Sequence, residues 1–174
     1  MSDVSCLDVG ALQRYLISCI CYTKSDWDGF NHSIMQELVV GDNSCNESGF
    51  IVLDVSGCVS LKEVKVGNNC LNNVETLRIT ELRNLESVVF GNDCATKSGY
   101  DSHDGGDCNR HFYVKNCPKL KSLKIGYKSF ADYSVCEIEN VDALEVIEMG
   151  ELNEDSFNFN FASLELKSIL IHSE

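Results

Sequence analysis

A seven-residue segment with apolar residues at its first, fourth and sixth positions recurs along the chain, and this recurrence limits the possible folds more than any other feature. The segment has six copies at intervals of 22 to 35 residues, which begin at Met35, Leu61, Leu85, Leu120, Leu144 and Leu166. Apolar residues two positions apart are typical of a short β-strand with one buried face. A unit this short cannot bury its apolar face alone, so we expect successive units to stack and share a core.

A second apolar motif, also with two residues two positions apart, lies just before four of these copies. It begins at Leu53, Leu77, Phe112 and Cys136. Each complete unit therefore predicts two short strands, one from each motif.

The joined unit resembles the leucine-rich repeat family. The family signature L-x-x-L-x-L-x-x-N-x-L is matched most fully by Leu61, Val64, Val66, Asn69 and Leu71. Later copies replace the asparagine by Asp93, Lys128 and Leu152, so the asparagine ladder that the resemblance implies is incomplete. The resemblance covers roughly residues 34–174 and implies an irregular, strand-rich subtype of the family.

We therefore predict a mainly β repeat solenoid of about six leucine-rich-repeat-like units over residues 34–174, with an insertion near residues 95–110. A parallel β-helix is the alternative, because the β-branched residues in 74–79 favour a strand over a helix. Residues 7–22 carry apolar side chains at helical spacing and predict an amphipathic helix within an N-terminal cap of residues 1–33. No polar cap follows Ile171, so we expect the chain to be a piece of a longer protein.

The ten cysteines are assigned by the same repeat. Six of them fall in columns that other copies fill with small or apolar residues, which predicts buried free thiols: Cys45, Cys58, Cys70, Cys94, Cys117 and Cys136. No column is available for Cys6, Cys19, Cys21 and Cys108, and their redox state stays open.

The insertion brings further cysteine and histidine side chains close together in the sequence. Cys94, His103, Cys108 and His111 are weak candidates for a metal site, but they are irregularly spaced and contain no C-x-x-C pair. We therefore predict neither a metal nor a cofactor, and leave the role of the insertion open.

The charge balance excludes several classes of partner. The chain has 14 Lys and Arg against 27 Asp and Glu, a formal charge of −13, which argues against nucleic acids and anionic membranes. The sequence contains no signal peptide and no apolar stretch of membrane length, which favours a cytoplasmic protein. It also contains no phosphate-binding loop, nucleophile elbow or H-E-x-x-H motif, so we expect neither an enzyme nor a small-molecule substrate.

Two outward columns of the predicted strands form the candidate site. The column residues that we select as candidate contacts are Glu63, Lys65, Val89, Lys124, Val146, Glu148 and Leu170. Apolar side chains on an exposed strand face are typical of a contact surface. We predict a non-catalytic protein–protein interaction module, whose partner carries a cationic patch. The alternatives are a carbohydrate-active β-helix enzyme and a structural spacer in a longer repeat protein. The identity of the partner and the oligomeric state stay open.

Overall fold

The computed structural model of the protein describes residues 17–99, 105–151 and 156–168. Eleven strands and one six-residue helix follow one another in these ranges. The helix is α1 (Lys24–Gly29). In chain order the strands are β1 (Ser18–Cys21), β2 (Glu37–Val40), β3 (Val52–Asp54), β4 (Glu63–Val66), β5 (Thr76–Thr80), β6 (Ser87–Phe90), β7 (Asp107–Lys115), β8 (Ser122–Ile125), β9 (Tyr133–Glu139), β10 (Val146–Met149) and β11 (Ser163–Lys167).

The strands divide between two sheets. The six-stranded sheet has the order β1-β2-β4-β6-β8-β10, and the five-stranded sheet has the order β11-β9-β7-β5-β3. Every pair of neighbouring strands is parallel. From β2 onwards the chain alternates between the two sheets, because each repeated unit supplies one strand to each.

The core lies between the inner faces of the two sheets. In strands β1 to β9 apolar residues two positions apart are buried, as the spacing of two predicts, and the buried apolar side chains form one cluster, whereas the end strands β10 and β11 contain no buried residue. The ring of Phe90 in the six-stranded sheet lies 6.0 Å from that of Phe112 in the five-stranded sheet. The two motifs of the sequence therefore pack their apolar faces against each other.

The predicted fold class, a leucine-rich-repeat-like solenoid with an α-helical cap or a parallel β-helix as the alternative, is wrong. The chain instead forms two parallel sheets of six and five strands, and within the described ranges it has few helical residues. The segments that carry the second apolar motif pair with one another and build a sheet of their own. Residues 18–21 of the predicted cap helix form strand β1, and residues 7–16 lie outside the described ranges.

Strand β1 is a further copy of the repeated strand. Cys19 pairs with Leu38 and Cys21 pairs with Val40, so both thiols point into the core. The only helix of the described ranges follows it. The helix begins with a capping box, in which Thr23 and Asp26 exchange hydrogen bonds of 2.9 and 3.1 Å. Residues before position 34 thus share the core of the units that follow.

The register at the other end also differs from the prediction. Leu166 pairs with Ile138 in the five-stranded sheet, and Leu164 pairs with Cys136. Leu166 therefore belongs to the second motif and does not begin a sixth seven-residue copy. The remainder of that predicted copy, from Ile169 onwards, lies outside the described residues.

The turns after the six-stranded sheet contain the asparagine ladder one residue earlier than the sequence predicts. The side-chain oxygens of Asp42, Asn68 and Asn92 each accept the backbone N–H of the equivalent residue in the next unit, at 2.6 to 2.9 Å. The predicted ladder residues Asn69 and Asp93 instead have φ values of 53° and 55°. Asparagine and aspartate tolerate this left-handed backbone better than most residues, which is why the sequence favours them there.

Candidate functional site

The outer face of the six-stranded sheet, called here the six-stranded face, presents two straight rows of side chains. The register places one residue of each row on every strand of this sheet. The first row contains Ile20, Val39, Lys65, Val89, Lys124 and Glu148, and the second contains Ser18, Glu37, Glu63, Ser87, Ser122 and Val146. The predicted columns are thus confirmed from Val39 to Glu148. Leu170 lies outside the described residues, and the alignment that selected it fails with the register of Leu166.

Apolar side chains interrupt the polar residues of both rows. Ile20 is 48% exposed and Val146 is 39% exposed, while Val39 and Val89 are half-buried between their neighbours. A strand face that served only to contact water would gain nothing from these side chains. Ile20 escaped the sequence analysis because its segment was assigned to a helix.

The charged side chains of the six-stranded face form ion pairs within and between strands. The Lys65 ammonium lies 2.8 Å from Glu37 and 2.9 Å from Glu63, and Lys124 lies 2.9 Å from Glu148. The hydrogen bond from Lys65 lowers the pKa of Glu37, and the same bond raises the pKa of Lys65. Both groups therefore keep their charges at neutral pH, and the face is a mixture of fixed charges and valines.

The outer face of the five-stranded sheet, called here the five-stranded face, has a different chemistry that the sequence analysis missed. The Arg78 guanidinium carbon lies 5.9 Å from the centre of the Tyr113 ring, and the Lys115 ammonium lies 5.3 Å from it. On the next strand, Glu137 and Glu139 both form ion pairs with Lys115. The regular spacing of two in these strands could have revealed the face, had its outward residues been aligned.

A buried ion pair lies beneath the insertion. Arg110 and Asp132 are each 1% exposed, and one guanidinium nitrogen of Arg110 donates to both Asp132 oxygens, at 2.7 and 2.9 Å. Arg110 also donates to the backbone carbonyls of Asn72 and Ala95, and its guanidinium carbon lies 5.3 Å from the centre of the Tyr133 ring. No sequence signal selects this pair, because its partners are joined only when three turns come together.

The candidate metal ligands of the insertion have separate environments. The Cys94 thiol is buried and donates to the Gly67 carbonyl at 2.8 Å, whereas Cys108 is exposed. The ring nitrogens of His111 lie 2.9 Å from the Cys108 carbonyl and 3.1 Å from the Tyr113 hydroxyl. His103 lies outside the described residues. Where the structure describes the chain, no group of three or more His, Cys, Asp or Glu could hold a metal ion.

The six cysteines assigned to packing columns are confirmed as buried free thiols. Burial raises the pKa of Cys58 and Cys136 to about 12 and that of Cys117 to about 11, so these thiols stay protonated. Cys70 donates to the Gly41 carbonyl at 2.9 Å, as Cys94 does to Gly67 one unit later. Their column is therefore filled by small donors, and Ser129 continues it with a 2.8 Å bond to Gly91.

In comparisons with known proteins, no family model, no curated protein and no solved structure matches the chain. The resemblance to leucine-rich repeats thus rests on the sequence motif alone. In the described ranges, no helix is both long and apolar enough to span a membrane.

Proposed function

We propose that the chain is a non-catalytic protein–protein interaction module and that the six-stranded face is its contact surface. The observation that carries the proposal is the row in which Ile20 and Val39 are neighbours and Val89 lies between two lysines, on a face that is open to solvent. Apolar side chains in a polar rim are the usual anatomy of a protein contact. Six of the seven contact residues predicted from the sequence lie on this face: Glu63, Lys65, Val89, Lys124, Val146 and Glu148.

The shape of the face favours a macromolecular partner over a small substrate. Six parallel strands at a spacing of about 4.8 Å extend for roughly 24 Å, and their outward side chains form two rows across the sheet. Small-molecule sites are concave and bury most of their ligand. A partner that lies flat across the strands would contact both rows at once.

The chemistry of the partner follows from the charge of the chain. The formal charge of −13 attracts a protein with a cationic patch and increases its rate of association. On the face itself, Glu63 and Glu148 lie beside exposed lysines and would offer carboxylates to that patch. The valines would then supply the apolar contacts that slow dissociation.

The proposal is tested by Val89→Glu. Val89 lies between Lys65 and Lys124 on the neighbouring strands, so the new carboxylate has cations on both sides and we expect the variant to fold. Binding partners captured by the wild-type chain are purified, and their affinities for both proteins are measured by calorimetry. We expect Val89→Glu to weaken binding by about ten-fold or more, as for a central contact residue.

The matched control is Val52→Glu, which makes the same change on the five-stranded sheet, where Val52 is 42% exposed. We expect its affinity for the partner to stay within about two-fold of wild type, because contacts outside an interface contribute little. Equal binding by wild type and Val89→Glu would contradict the placement of the contact surface. Reversal of Glu63 and Glu148 to lysine tests the cationic patch in the same assay, since it should lower the affinity for a cationic partner.

The two alternatives are distinguished by the same material. A carbohydrate-active enzyme would release reducing ends from a polysaccharide panel, and loss of turnover on mutation of surface carboxylates would locate its site. A spacer would bind no partner through either face. Among described carboxyls with a resolved shift, the pKa values of Asp26, Glu37, Asp107 and Glu165 are all lowered, whereas a general acid needs a raised one.

A further inference from the structure

The charges of the five-stranded face are unevenly distributed over four of its strands. Strands β5 and β7 carry the cations Arg78 and Lys115, whereas strands β9 and β11 carry three anions, Glu137, Glu139 and Glu165, and one cation, Lys167. The register aligns Arg78, Glu137 and Glu165 in one row across the strands. Such a surface is complementary to itself after a half-turn.

We propose that a second copy of this chain docks on the five-stranded face, with a two-fold axis parallel to the strands and between β7 and β9. This axis places β5 over β11 of the second copy and β7 over its β9. Arg78 then faces Glu165 of the second copy, and Lys115 faces Glu139 of the second copy. A two-fold axis repeats each contact, so four charge pairs form in total.

Lys115 and Glu139 already form an ion pair within the chain, so the pairing between copies depends most on Arg78 and Glu165, which have bonding capacity left. Arg78 is an exposed side chain whose nearest carboxylate, that of Asp54, lies 3.9 Å away, and it donates no hydrogen bond to the described residues. A guanidinium has five N–H donors that suit a carboxylate. The Glu165 side chain is 49% exposed and has only Lys167 beside it among the ion pairs of the described ranges.

The same axis brings no two like charges face to face among the charged residues of these rows. Lys167 of the second copy lies over Thr80, which is uncharged, because both residues belong to the row of Lys115. The Tyr113 hydroxyl faces Glu137 of the second copy and can donate to it. Asp54 lies on β3, outside the four overlapping strands. An axis placed on β7 would instead bring Lys115 of one copy over Lys115 of the second copy.

The expected dimer is weak. Four strands about 4.8 Å apart and five residues of about 3.3 Å each give a contact of roughly 19 by 16 Å, or about 300 Å² per copy, which is smaller than standard specific interfaces and typical of weak, transient contacts. The charge of −13 on each copy also opposes association. Charge complementarity therefore decides the register of the two copies more than their affinity.

The test is a charge exchange followed by sedimentation velocity on the full chain, from about 10 to about 500 μM, the range that a micromolar Kd requires. We expect a concentration-dependent dimer for wild type and about ten-fold weaker association for Arg78→Glu and for Glu165→Arg. The double variant Arg78→Glu/Glu165→Arg should return to within about three-fold of the wild-type Kd. Its two sites lie three strands apart, about 14 Å, so recovery cannot come from a contact within one chain.

The control is Lys124→Glu, which reverses an exposed charge on the six-stranded face and should leave the dimer unchanged. Circular dichroism melts establish that every variant is folded. A wild-type chain that stays monomeric at every concentration would overturn the proposal. A dimer Kd that is unchanged by Arg78→Glu, or that the double variant does not restore, would overturn it as well. Because partner capture depends on the six-stranded face, it can succeed or fail independently of this result.

Discussion

The two sheets of this protein share one core but are built on different plans. Strands of the six-stranded sheet are all four residues long, whereas those of the five-stranded sheet range from three residues in β3 to nine in β7. The five-stranded sheet also carries the irregularity between Asp107 and His111, next to the insertion. The six-stranded sheet, called here the regular sheet, repeats one strand length in every unit. The five-stranded sheet, called here the irregular sheet, takes up the differences in length between the units.

The two sheets are also stabilised by different contacts. Beside the regular sheet, small residues allow the turns to stack closely, and side-chain oxygens satisfy the backbone N–H groups of the next unit. Beside the irregular sheet, the buried pair of Arg110 and Asp132 ties together turns that are distant in sequence. The stability of the six-stranded sheet therefore depends on backbone geometry in its turns. The stability of the five-stranded sheet depends on electrostatics in the interior.

The largest loss of stability is expected when the buried ion pair beside the irregular sheet is broken. Asp132→Asn leaves the Arg110 guanidinium buried without a countercharge, which should lower the free energy of unfolding by about 3–5 kcal/mol. Urea denaturation followed by circular dichroism measures this loss. A change below about 1 kcal/mol would mean that the backbone carbonyls alone satisfy Arg110.

A smaller effect is expected where the regular sheet stacks its turns. A Cβ on Gly126 would lie 2.5 Å from the carbonyl carbon and oxygen of Gly91, so Gly126→Ala must displace backbone. We expect a loss of about 1–3 kcal/mol in the free energy of unfolding, as for other overpacked sites. Gly57→Ala is the matched control, because a Cβ there would meet nothing within 4 Å. Equal losses for the two variants would show that close stacking is not what selects glycine.

The paired charges of the six-stranded face should contribute a pH dependence. The pKa of Glu37 is lowered from its usual value of 4.5, chiefly by the hydrogen bond from Lys65. A lowered pKa adds stability above the unfolded value, and this stability is lost as the pH falls through the folded value. Glu37→Gln should therefore reduce the difference in unfolding free energy between pH 7 and pH 3, by less than about 1 kcal/mol. An unchanged difference would mean that Lys65 is satisfied by Glu63 alone.

The smallest effect on stability is expected at the exposed pair of the same face. Lys124 and Glu148 lie 2.9 Å apart with side chains 46% and 57% exposed, so Lys124→Met should change the unfolding free energy by no more than about 0.5 kcal/mol. Thermal and urea unfolding measure it against Asp132→Asn. A loss comparable to that variant would remove the contrast between the two regions.

Residues that recur at fixed positions could be interpreted from the sequence alone. The burial of Cys58, Cys117 and Cys136 and the rows of the six-stranded face follow from aligning the copies, because a residue's direction in a strand depends only on its place in a spacing of two. The N-terminal segment could not be interpreted this way. Cys19 and Cys21 fit a strand, but Leu16, Cys19 and Ile20 fit a helix equally well, and a short apolar run carries both patterns.

The sequence by itself determined the repeating strands, the inward and outward side chains of most of them and the acidic charge, since these are local properties of the chain. Only the tertiary structure decided that the two motifs form separate parallel sheets, that Leu166 pairs with Ile138, and that Arg110 meets Asp132. Each of these depends on which distant segments meet, and sheet pairing and buried ion pairs are set by the free energy of the whole core. The row that places Arg78 and Glu165 at opposite ends of four strands was likewise decided only by the tertiary structure.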